Sequence, residues 1–98
     1  MKRVFSNSDI VNIKIGIPDG HKHIRTIIET SDGDKLIFQE ATIANLVRAY
    51  TIIKTHPQIR TLELEQKKLS DKKAGYADYQ LIETDGDEGT IRKELAEI

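Results

Sequence analysis

Two Asp-Gly dipeptides, Asp19-Gly20 and Asp32-Gly33, stand between runs of β-branched residues, and that arrangement constrains this chain more than any other feature. From Ile10 to Ile17 the apolar side chains Val11, Ile13, Ile15 and Ile17 alternate with Asn12, Lys14 and Gly16. A period of two is that of a strand with one covered face. Pro18-Asp19-Gly20 interrupts it, and a second run, Lys22 to Thr30, sets Ile24, Thr26 and Ile28 against His23, Arg25, Ile27 and Glu29. After Ser31-Asp32-Gly33 comes a third short run, Lys35 to Gln39. Asp-Gly between alternating hydrophobics is a hairpin signal because glycine adopts positive φ without steric cost, so the first 39 residues predict a three-stranded meander.

Turn length then sets the register, since a slip of one residue sends every side chain to the opposite face. A two-residue loop at Asp19-Gly20 predicts Ile17 opposite Lys22, Ile15 opposite Ile24, Val11 opposite Ile28 and Lys14 opposite Arg25. For the second turn a three-residue loop, Ser31-Asp32-Gly33, is preferred. It pairs Ile28 with Leu36 and Thr26 with Phe38, and it places Glu29 beside Lys35 as a cross-strand ion pair.

Beyond Gln39 the period changes to about 3.6. Ile43, Leu46, Val47, Tyr50 and Ile53 form one apolar stripe on a helix expected from Ala41 to Thr55, closed by Pro57. A fourth strand is expected at Arg60 to Gln66, a polar loop from Lys67 to Gly75, and a fifth strand at Tyr76 to Thr84 with Ala77, Tyr79 and Leu81 turned inward. The acidic turn Thr84 to Gly89 leads to a short helix marked by Ile91, Leu95 and Ile98, with Asp87 and Glu88 at its positive end. The expected fold class is α+β, β-β-β-α-β-β-α. It is read as a single, mostly antiparallel sheet of about five strands, with one long and one short helix packed on one face. Ninety-eight residues suit one domain, 1–98, with 1–9 as a loosely ordered N-terminal tail.

Composition removes several function classes. Fifteen Lys and Arg against 16 Asp and Glu argue against bulk attraction to nucleic acid or membrane. No apolar run is long enough to span a bilayer, and the default compartment is cytoplasmic. The absence of cysteine excludes disulfides, thiol nucleophiles and thiolate metal sites.

Individual motifs point to structure before chemistry. His21 and His23 form an H-x-H pair without a third ligand nearby in sequence, and Asp32-Gly33-Asp34 and Asp85-Gly86-Asp87-Glu88 lack the spacing of a calcium loop, so both read as turns. Ser6, Ser8, Ser31 and Ser70 lie in a tail, a turn and a loop, without the context of an activated nucleophile. No catalytic residue, cofactor or metal ligand is therefore assigned, and the chain is read as a non-catalytic protein.

The outer sheet face carries the surface features. Ile27 and Ile37 break the alternation of their strands and should be cross-strand partners there, with Ile82 on the same face, and these three make the expected interface of a homodimer. Lys14 and Arg25, joined by Lys67, Lys68, Lys72 and Lys73, make the expected phosphate contacts of the alternative reading, an RNA-binding face, although stacking aromatics are scarce. A second alternative is a small enzyme with its site at a subunit boundary. The leading expectation is a self-associating binding module with protein partners.

Overall fold

The computed structural model describes residues 2–69 and 79–98. Element order is β1 (Ile10–Gly16), β2 (Arg25–Thr30), β3 (Lys35–Gln39), α1 (Glu40–Thr55), β4 (Leu64–Lys68), β5 (Tyr79–Glu83) and α2 (Glu88–Ala96). The fold is α+β in the expected order. Its strands form two antiparallel sheets, β1-β2-β3 and β4-β5, and the expectation of one sheet is corrected. Among the described residues each strand pairs only with a chain neighbour. Alternation says which face of a strand is apolar but not which edge it joins, so the sequence pattern did not exclude the division. The chain falls into two compact units, Met1–Ala44 and Asn45–Ile98, described in turn.

In the first unit the β2–β3 hairpin has the expected register, with Thr26 opposite Phe38, Ile27 opposite Ile37, Ile28 opposite Leu36 and Glu29 opposite Lys35. Its three-residue loop closes through Thr30 N–H to the Asp34 carbonyl at 3.0 Å, and Gly33 takes φ of 91°, where a side chain would be strained. The β1–β2 register differs from expectation by two residues. Ile13 faces Ile28, Lys14 faces Ile27, Ile15 faces Thr26 and Gly16 faces Arg25. Two bonds account for the shift. His21 N–H closes a turn on the Pro18 carbonyl at 3.1 Å, and Ile24 N–H donates to Glu40 Oε1 at 3.3 Å, which turns that donor away from the ladder. The second strand consequently starts at Arg25 and not at Lys22. An even slip preserves the faces, so Ile13, Ile15, Ile28, Leu36 and Phe38 still share one side. Opposite Thr30 and Glu29 the first strand carries Ile10, Val11 and Asn12, one residue too many, and Val11 is the bulge.

The segment before β1 is tied down. A 3-10 turn, Asn7–Asp9, is capped by Ser6, whose N–H donates to Asp9 at 2.8 Å, and Ser31 N–H donates to the Asp9 carbonyl at 2.8 Å. The Arg3 guanidinium forks between Asp32 and Asp34 on the β2–β3 turn and lies over the Phe5 ring.

Helix α1 has Glu40 in its first turn and Lys54 in its last, the charges that suit its dipole. In the second unit its end is closed by His56 N–H to the Ile52 carbonyl at 2.9 Å, before Pro57. Arg48 pairs with Glu83 at 3.3 Å. The fourth strand starts at Leu64, four residues later than expected, because its ladder begins at the Leu64–Glu83 pair. Just before it, the Glu63 carbonyl accepts from Thr84 N–H at 3.0 Å and Glu63 Oε1 accepts from the Thr84 hydroxyl at 2.7 Å. Helix α2 is capped as its acidic start suggested, with Asp87 accepting from Thr90 N–H at 3.0 Å.

Among the described residues no hydrophobic side chain is buried, whereas Thr26 and Thr30 are. The expected inner stripes are correspondingly open. Leu46, Val47 and Tyr50 on α1 are exposed, as are Leu95 and Ile98, while Ile91 is half-buried. On β5 the expected inner residues Tyr79 and Leu81 are exposed and Ile82 is half-buried; Ala77 lies outside the described residues. Leu81 and Ile82 are consecutive, so both faces of β5 carry an apolar residue and alternation does not decide between them.

Candidate functional site

The three-stranded sheet presents its two faces differently. On one, β1 contributes Ile13 and Ile15, β2 contributes Thr26 and Ile28, and β3 contributes Leu36 and Phe38. Ile28, Leu36 and Phe38 are half-buried, whereas Val11, Ile13 and Ile15 of β1 and Ile17 just past its end are bare, at 59%, 60%, 62% and 62% exposed. The other face carries Asn12, Lys14, Gly16, Arg25, Ile27, Glu29, Lys35, Ile37 and Gln39. There Ile27 and Ile37 are direct partners as expected, Ile37 exposed and Ile27 half-buried. Ile82 belongs to the other sheet, where it faces Glu65, so its expected place beside them is corrected.

The expected basic juxtaposition is also changed. Lys14 faces Ile27 and its ammonium lies 3.2 Å from Glu29, while Arg25 stands opposite Gly16. Lys14 and Arg25 are thus not direct cross-strand partners, although both residues line one shallow depression with Ile15, Gly16, Pro18 and Ile27. Lys67 and Lys68 are strand residues of β4, exposed and opposite Gln80 and Tyr79; the loop was expected to start at Lys67. Lys72, Lys73 and Tyr76 lie outside the described residues.

His21 and His23 lie in the β1–β2 connection and not on a strand, so strand geometry does not align their rings. His23 Nδ1 is 2.8 Å from Glu40 Oε2, and these two residues line a second depression with His21, Ile24, Arg25 and Gln39. The bond to His23, helped by the Ile24 N–H, holds the Glu40 carboxyl below its ordinary pKa. Asp32 is held low by the Thr30 hydroxyl and then by Arg3, and Asp9 by the Ser6 N–H and hydroxyl. These groups are spent on turns and caps. Among the described residues no three His, Asp or Glu side chains are grouped as a metal would require.

No protein-family model, no curated protein and no solved structure matches this chain.

The bare apolar row of β1 was missed as a surface. Its alternation reads the same whether a helix of the same chain or a second molecule covers it, so no signal in the sequence separated the two. The His23–Glu40 contact was also hidden, because 17 residues separate its partners. No helix in the described residues is long and apolar enough to cross a membrane.

Proposed function

We propose that this chain is a non-catalytic interaction module that works by self-association. The observation that carries the reading is the row Val11, Ile13, Ile15 and Ile17, four β-branched side chains about three-fifths exposed along the edge strand β1 and the residue just past its end. Apolar area left in water costs ~25 cal/mol per Å², and a second copy is the commonest partner that removes it. The exposed Ile37 beside Ile27 adds a smaller patch on the reverse face. The polar clusters of the sheet unit support this reading by being engaged in turns and caps. Arg3 holds Asp32 and Asp34, Ser6 holds Asp9, and His23 holds Glu40.

Sedimentation equilibrium across the micromolar range tests it. The wild-type chain is expected to be a dimer, and Ile13→Lys to sediment as a folded monomer. Ile37→Lys separates the faces: loss of the dimer there would move the interface to the Ile27/Ile37 side. A wild-type monomer at all concentrations would overturn the reading.

A further inference from the structure

We propose that Asp19-Gly20 is a modification site, the Asp-Gly dipeptide at which the folded chain forms isoaspartate fastest, and that the change strikes the turn between β1 and β2. The chain carries Asp-Gly three times, at Asp19-Gly20, Asp32-Gly33 and Asp85-Gly86, and all of these residues are exposed. Glycine favours the reaction in each, because it has no side chain to hinder its nitrogen. The Gly nitrogen adds to the side-chain carbonyl carbon of the protonated Asp carboxyl, and its proton leaves with the hydroxyl group as water. A succinimide ring results, and water then opens it. Opening at the side-chain carbonyl restores aspartate. Opening at the main-chain carbonyl leaves the chain running through the side chain, with the α-carboxylate free. One water leaves and one enters, so the product is an isomer of the starting chain.

Hydrogen bonding separates the three. Ring closure needs a carboxyl that can turn back on the main chain and a Gly nitrogen that is not held elsewhere. At Asp32-Gly33 both are held: the Thr30 hydroxyl and the Arg3 guanidinium donate to the two oxygens of Asp32, and Gly33 N–H donates to the Thr30 carbonyl at 3.0 Å. The same donors lower the Asp32 pKa, which keeps the acid in its ionised, less electrophilic form. At Asp85-Gly86 the nitrogen is held, with Gly86 N–H donating to the Thr84 hydroxyl oxygen at 3.2 Å and Thr84 itself fixed by Glu63. Ile91 and Glu63 also crowd Gly86, at 3.0 and 3.1 Å from where a Cβ would sit. Asp19-Gly20 has neither restraint. Among the described residues nothing bonds the Asp19 carboxylate or the Gly20 N–H, and no atom beyond the chain neighbours lies within 4 Å of where a Cβ would stand on Gly20. These two residues fill the middle of the turn that His21 N–H closes on the Pro18 carbonyl at 3.1 Å. An isoaspartyl link puts one extra carbon into the main chain inside that turn and lengthens the path the bond must close. Two bonds set the β1–β2 register, and this change falls on one of them.

Peptide mapping of the full chain after prolonged incubation near neutral pH tests it, with electron-transfer fragmentation separating isoaspartate from aspartate at each dipeptide. In the folded chain isoaspartate at Asp19 should accumulate several-fold faster than at Asp32 or Asp85. The same incubation in concentrated guanidinium chloride removes the hydrogen bonds, and the three rates should then converge. Equal rates in the folded chain, or a lead for Asp32 or Asp85, would overturn the assignment. A lead for Asp19 that persists undiminished in denaturant would trace it to the sequence neighbours and overturn the structural cause. Amide exchange on the fraction isomerised at Asp19 reads the consequence: His21 N–H should exchange faster than in the unmodified chain, with Gly33 N–H unchanged. Equal exchange at His21 in the two forms would overturn the effect on the turn.

Discussion

Glu40 and His23 meet at 2.8 Å, and through the second carboxylate oxygen Glu40 also holds Ile24 N–H at 3.3 Å. One side chain at the start of α1 thereby anchors the residues that lead into β2. It also removes Ile24 from the first ladder.

Acid should loosen this anchor. The Glu40 pKa lies below its ordinary value of 4.5 because its charged form accepts from His23 and Ile24, so ionisation favours the folded state. The stabilisation is fully present above the ordinary value and is lost as pH falls through the lowered one. Melting temperature followed from pH 7 to pH 3 should fall for the wild type, and Glu40→Gln should show a shallower fall. Identical slopes would assign the acid sensitivity to Asp9, Asp32 and Asp87 alone, whose pKa values are lowered by their own hydrogen bonds.

Three glycines should respond to alanine in different ways in urea denaturation. At Gly16, where a Cβ meets nothing within 4 Å, Ala should stabilise by about 0.4 to 1 kcal/mol by restricting the unfolded chain. Gly33, at φ of 91°, should lose about 1 to 2 kcal/mol. At Gly86 a Cβ would lie 3.0 Å from Ile91 Cδ1 and 3.1 Å from Glu63 Oε1. That oxygen is held by the Thr84 hydroxyl at 2.7 Å and cannot yield freely, so a loss of ~1 kcal/mol is expected. A stable Gly33→Ala would contradict the three-residue loop.

Helix α2 should depend on its cap. Asp87 accepts from the Thr90 N–H at 3.0 Å and from the Thr90 hydroxyl at 2.6 Å, and both bonds keep its carboxyl ionised to lower pH than usual. Asp87→Ala should reduce helical circular dichroism and speed amide exchange at Thr90 and Ile91, while Asp87→Ser should restore most of both. Unchanged exchange would mean that packing of Ile91 holds the helix without the cap.

Much of the local architecture was legible in the residues. The β2–β3 register followed from Gly33 and a loop length that put Ile28 against Leu36, because turn chemistry and period-two alternation act over a few residues and agree. Helix α1 was legible from a stripe with period 3.6 and a terminating Pro57. The face of each β1 residue in the ladder was legible too, since an odd slip would have mixed Ile13 and Ile15 with Lys14.

Tertiary structure decided what alternation leaves degenerate. An even slip of β1 against β2 moves no side chain between faces, so the choice fell to the Pro18–His21 turn bond and to Glu40, which lies 16 residues beyond the Ile24 N–H it binds. The division into two sheets was settled by which edges pair, and edge pairing depends on backbone donors and acceptors that every residue except proline carries alike. The sequence by itself determined that β1 has an apolar row. That Ile13 and Ile15 stay about 60% exposed was decided by tertiary structure, because a row of isoleucines has the same pattern whatever covers it.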